Sequence, residues 1–139
     1  MDVSHTIIPK SDQLNADDLL TGPIVVKIED VTEGPKDQPV IIKIRGVKPY
    51  QPWKPCKSMR RVLILLWGAD ATKWIGRYIK LYCDPNVRWA GSKVGGIRIC
   101  AASIPAAIEF PLTVSRGKKE LVKIIPLVFK KGQTNEGEE

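Results

Sequence analysis

The 139-residue sequence predicts a mainly β fold: a small barrel of about five core strands plus a C-terminal hairpin, with one main α-helix and a short N-terminal helix. Three observations predict it. Short stretches in which apolar and polar residues alternate recur six or seven times, each bounded by turn residues. A single apolar run of helical character, "MRRVLILLW", stands among them. Paired glycines, Gly95 and Gly96, interrupt one strand pattern, where a bulge or sharp bend is expected.

Taken in order, "SDQLNADDLL" offers Ser11 as an N-cap with acidic residues early, which suits a short helix. "GPIVVKIEDV" sets Ile24, Val26 and Ile28 against Val25, Lys27 and Glu29, a strand with one buried face. After the turn residues of "EGPKDQP", "VIIKIRGV" returns with Ile42 and Ile44 inward and Lys43 and Arg45 outward. The loop "KPYQPWKPCKSMRR", residues 48–61, is held extended by three prolines. Ser58 caps the following helix, which is apolar enough to be largely buried and ends at Gly68. "DATKW" adds a helical turn with Asp70 near its start. "RYIKLYC" places Ile79, Leu81 and Cys83 on one face and Tyr78, Lys80 and Tyr82 on the other. Its partner turns at "AGSK" and returns through Ile97 and Ile99, and "LTVSRGKKELVKIIPLVF" forms a hairpin turning at residues 116–119. Trp67 and Trp74, at the ends of helical turns, are expected to close the core. Residues 1–130 make one domain, and residues 131–139, "KGQTNEGEE", make a flexible acidic tail, a solubilising segment or a partner-recruiting one.

The formal net charge of +7 is unevenly spread. Residues 1–40 carry −5, residues 41–100 carry +11 and residues 101–139 carry +1. A central segment with thirteen cations and only Asp70 and Asp84 suits an anionic partner. Cys56, Cys83 and Cys100 are an odd count without C-x-x-C spacing, so neither a disulfide framework nor a zinc site is expected. With His5 the only histidine, a histidine triad or a two-histidine metal centre cannot be built within the chain. "GSKVGG" lacks the spacing of a phosphate-binding Walker loop, and Asp70 and Asp84 form no evident acid–base pair. No enzyme, cofactor or metal is expected. The N-terminus lacks a signal-peptide pattern and no apolar run approaches the ~18 residues of a membrane span, so a cytoplasmic, non-membrane protein is expected.

Two stretches combine cations with aromatic rings, as binding of single strands without sequence preference requires. The first comprises Lys43 and Arg45 with Lys48, Tyr50, Trp53, Lys54, Lys57, Arg60 and Arg61, where Tyr50 and Trp53 would stack bases between phosphate-binding cations. The second is the hairpin carrying Tyr78, Lys80, Tyr82, Arg88, Trp89, Lys93 and Arg98.

"LNADDLLTGPIVVKIEDV" and "WGADATKWIGRYIKLYCDPNVRWAGSKVGGIRI" together resemble a group of small phage and prophage proteins over about residues 14–103. The matching elements are Ala16–Leu19, Gly68, Asp70, Trp74–Arg77 and Gly96–Ile99; "PCKSMRRVLILLWG" departs from the group in being more basic. The resemblance implies an oligonucleotide-binding (OB) barrel and a single-stranded DNA-binding protein of phage DNA replication or recombination, acting in the bacterial host cytoplasm. Single-stranded DNA, or RNA, is the expected partner. The alternative is a protein-interaction module that binds a host factor or a phage replication protein. Exposed barrel edges would also let two copies pair as a homodimer.

Overall fold

The computed structural model describes residues 13–47, 51–85, 88–89, 92–93, 96–115 and 118–128. A 3-10 turn at Ala16–Leu19 precedes strands β1 (Ile24–Glu33) and β2 (Val40–Arg45). Helix α1 (Lys57–Trp67) and a second 3-10 turn (Ala71–Trp74) follow. Among the described residues six strands follow: β3 (Tyr78–Asp84), β4 (Arg88–Trp89), β5 (Ser92–Lys93), β6 (Gly96–Ala102), β7 (Ile108–Ser115) and β8 (Lys118–Pro126).

Six strands form one mixed sheet in the order β2-β1-β3-β6-β8-β7, while β4 and β5 make a separate two-stranded ribbon. All pairings are antiparallel except β6–β8, which is parallel and short, matching Ala101 to Ile125 and Ala102 to Pro126. The fold is therefore mainly β with one helix, as expected, but the sheet is open: no ladder joins β2 to β7 among the described strands. The outer edge of β2 is already engaged. Ile42 exchanges both backbone hydrogen bonds with Trp53, at 2.8 and 2.9 Å, and the Leu14 amide donates to the Pro52 carbonyl at 2.8 Å. The chain after β2 thus folds back as a short added strand and blocks the edge on which β7 would have to close. At the other edge, Pro111 of β7 has no amide to offer a further strand.

Alternation decides which face is buried. Val26, Ile28, Ile42, Ile44, Ile79, Leu81 and Ile99 point to one side of the sheet, where Met59, Val62 and Leu63 of α1 cover them. Burying each such side chain stabilises the fold by about 1.5–3 kcal/mol before the entropy of ordering is deducted. The helix starts one residue before Ser58, with Cys56 in the capping position and no side-chain cap bond. It is amphipathic rather than largely buried, since Ile64 and Leu65 are exposed. It ends, as expected, at Gly68, whose φ of 93° strongly favours glycine.

Three register shifts interrupt the ladders of the sheet, one of which leaves Val114 of β7 without a β8 partner. Of the other two, one leaves Glu29 of β1 without a β2 partner, and the second leaves Cys100 of β6 without a β3 partner. The second was expected at Gly95–Gly96, but Gly96 is in register with Asp84 and Gly95 lies outside the described residues. After β2, Gly46 turns the chain with φ 122°, where a Cβ would sit 2.9 Å from the Val25 carbonyl oxygen.

Candidate nucleic-acid interface

Helix α1 packs against β6, β7 and the second 3-10 turn and buries Met59, Val62 and Leu63 in the core, so its charged residues and those of the outer sheet face are carried by different elements. Pairing register builds the outer sheet face row by row, because residues directly opposite one another share a face. Lys27 opposes Arg45 on β2 and Tyr78 on β3, Val25 opposes Lys80, and Tyr82 opposes Arg98 on β6.

Within these rows the charges are not equivalent. Arg45 Nε lies 2.8 Å from Glu29 Oε2, an ion pair formed by the bulged residue. Lys43 is exposed, but its Cα partner on β1 is Asp30. The β2 cations are therefore set beside acids and present little net charge to a ligand. Lys80 and Arg98 are partly buried by their stems and border Tyr82. Tyr82 is itself partly buried; burial, followed by the Asp84 carboxylate, raises its phenol pKa and keeps the hydroxyl protonated at neutral pH.

On the helix side, Lys57 and Arg61 are exposed and one turn apart, with Lys54 just ahead of them. Arg60 is turned back: its Nη1 donates to the Pro55 carbonyl at 2.8 Å and staples the loop to the helix. Past the helix, the second 3-10 turn is capped by Asp70, which accepts from the Thr72 amide at 3.0 Å and the Thr72 hydroxyl at 2.7 Å. These bonds, the hydroxyl first, hold its carboxyl below the ordinary aspartate value.

Two expected stacking rings are corrected. Trp53 is only 2 % exposed, because the backbone pairing with Ile42 turns its indole into the core. Tyr78 was expected to face outward as an open ring. It is on the outer face by register, yet is 9 % exposed, with Lys27 Nζ standing 5.8 Å from the ring centroid. Neither can receive a base without rearrangement. Trp74 is buried as expected and donates from Nε1 to the Gly68 carbonyl at 2.9 Å, whereas Trp67 is only partly buried, with the Arg77 guanidinium 5.6 Å from its ring.

Lys48 and Tyr50 lie outside the described residues, as does the tail from residue 131. For Arg88, Trp89 and Lys93 the backbone register is described: Arg88 opposes Lys93 and Trp89 opposes Ser92. The structure thus brings Lys80, Tyr82 and Arg98 together on the outer sheet face, while Lys54, Lys57 and Arg61 lie along α1 and the loop before it. Lys27 belongs with the first group and was missed as a binding candidate, although its place in the alternation of β1 already set it outward.

Among the described residues no group of histidine, cysteine or acidic side chains could hold a metal ion, the three cysteines are free thiols, and no helix is long and apolar enough to cross a membrane. Comparison of the chain with protein-family models, with curated proteins and with solved structures finds no match.

Proposed function

We propose that the protein is a non-enzymatic single-stranded DNA-binding protein, and that the strand runs over the outer sheet face. The observation that carries this reading is the Tyr82–Arg98 pair with Lys80 beside it: a ring flanked by two cations, on strands that hold all three in fixed register. Cations track phosphates while an aromatic ring takes a base, and neither function needs sequence readout. The helix-side cations belong to α1 and the loop before it rather than to these strands, and their part is to raise the local field that draws a polyanion in.

The open sheet is, in this reading, an unclosed relative of the oligonucleotide-binding barrel. The bulges at Glu29 and Cys100 and the parallel β6–β8 contact support it, since they curl the sheet and bring the terminal hairpin round beside β6. The setting in phage replication or recombination, in a bacterial cytoplasm, rests on the resemblance of residues 14–103 to small phage proteins.

A fluorescence-anisotropy titration of a labelled ~30-mer at low and moderate salt tests the function. Binding at micromolar protein that weakens steeply with salt supports it; absence of binding at low salt overturns it. The exposed Ile64 and Leu65 on α1 favour a second reading, a module that docks a protein partner. That reading expects salt-insensitive capture of a protein and indifference to the oligonucleotide.

A further inference from the structure

A groove lies at the end of the outer sheet face where β3 outruns β1. The β1–β3 ladder begins with Ile24 opposite Leu81, and the residue before it, Pro23, has no amide with which to extend the ladder. The β1–β3 ladder therefore has no pair beyond Leu81, and β3 runs on to Asp84 past the start of β1. The turn after the first 3-10 segment stands off from this part of β3 and leaves a space of about 320 Å³. Leu19 and Cys83 line it, together with Leu20, Pro23, Tyr82 and Pro85. That volume is at the small end for ligand sites, about 300–1,000 Å³, and the walls are mainly apolar with one aromatic ring.

We propose that this groove receives a single nucleobase of the bound strand, with the Tyr82 ring as one wall and Arg98 and Lys80 holding the adjoining phosphates. The inference rests on the single-strand-binding reading and adds to it a particular subsite. Charge argues for this occupant. Arg98 is the cross-strand partner of Tyr82, and Lys80 lies two residues away on the same face, so cations adjoin the apolar space without lining it. A nucleotide has the same division, a flat apolar base joined to an anionic backbone. The carboxylates of Asp84 and Glu120 also act on Tyr82. They disfavour phosphate beside them, which leaves Arg98 and Lys80 as its contacts.

The test compares a labelled (dT)30 strand with an abasic 30-mer that has the same phosphates and no bases. The wild-type protein is expected to bind (dT)30 more tightly than the abasic strand. Tyr82→Ala should weaken (dT)30 binding by about five- to 150-fold, the range that loss of one stacking ring accounts for, and leave abasic binding and the salt dependence unchanged. Tyr82→Phe should keep most of the affinity. Because Tyr82→Ala also removes a partly buried ring, a second measurement uses the unaltered protein: the alkylation rate of Cys83, followed by peptide mass. Saturating (dT)30 should slow it, and the abasic strand should not. If (dT)30 binds but Cys83 is unprotected, or if Tyr82→Ala affects both strands equally or neither, the base subsite is overturned and the groove is left to an apolar side chain of a protein partner. If the wild-type protein binds neither strand, the single-strand reading itself falls and the subsite with it.

Discussion

Trp53 shows how one side chain can serve the fold at two levels. Its backbone completes the hydrogen bonding of Ile42 at the sheet edge, and its indole is buried in the core. Trp53→Ala is expected to cost about 3–5 kcal/mol, read as a lowered denaturant midpoint, while DNA affinity per folded molecule stays unchanged. A tryptophan between prolines and lysines looks like an exposed anchor, because nothing in residues 48–61 signals that Ile42 will pair with it. Tyr78 was misjudged for a related reason: alternation gives its face correctly, but not that Lys27 on the neighbouring strand extends over the ring. Asp70 makes a second prediction. Its carboxyl is held below the usual value by Thr72, so its contribution to stability is complete above the unfolded aspartate pKa of about 3.9 and is lost as the pH falls through the lower folded value. Asp70→Asn should therefore flatten the acid limb of a stability–pH profile and leave the neutral region nearly unchanged in shape.

Helix α1 is charged against its own dipole. Its first turn has no acid and its last turn no base, and it opens with Lys57 and continues through Arg60 and Arg61. A cation at a helix N-terminus opposes the positive end of the dipole, at about 0.3–1 kcal/mol each. Lys57→Glu is accordingly expected to raise the melting temperature and, under the proposed single-strand binding, to slow association with DNA, two effects of opposite sign that thermal unfolding and stopped-flow binding separate. The β2 strand offers the contrast. Lys43 and Arg45 face outward as alternation predicts, yet register sets Lys43 opposite Asp30, and the bulge brings Glu29 to Arg45. Lys43→Ala should then change affinity less than Lys80→Ala, measured under the same salt. Strands, faces and the glycine stop of the helix were legible because each depends on local periodicity or on one residue's backbone freedom. The bulge at Cys100 was not, since a register shift belongs to two strands at once and is not written in either alone.

Among the described residues, the cations of residues 41–100 are unequal: Arg45 is paired with Glu29 and Lys43 sits opposite Asp30, while Lys80 and Arg98 flank Tyr82. If Lys27, Lys80 and Arg98 are the phosphate contacts, the logarithm of the binding constant should fall with the logarithm of salt concentration with a slope of about −2 for single strands. Charge reversal at Lys80 and Arg98 together should reduce that slope, whereas reversal at Lys57 and Arg61 should act chiefly on the association rate. The one-sided charge of residues 41–100 was visible in the sequence, but not which cations acids would offset, because that depends on register between strands. Closure was illegible for the same kind of reason: whether a curled sheet joins its ends depends on what reaches the free edge first, a competition between segments far apart in the chain.

The hydrogen bond from the Leu14 amide to Pro52 links residues 38 positions apart and rests on a strand that exists only once Trp53 has docked on Ile42. This clasp needs β2 in place and Trp53 paired to it, so it closes after the β1–β2 hairpin. Its amide is thus a timer for folding: in pulse-labelling hydrogen exchange, Leu14 should gain protection after the amides of β1 and β2.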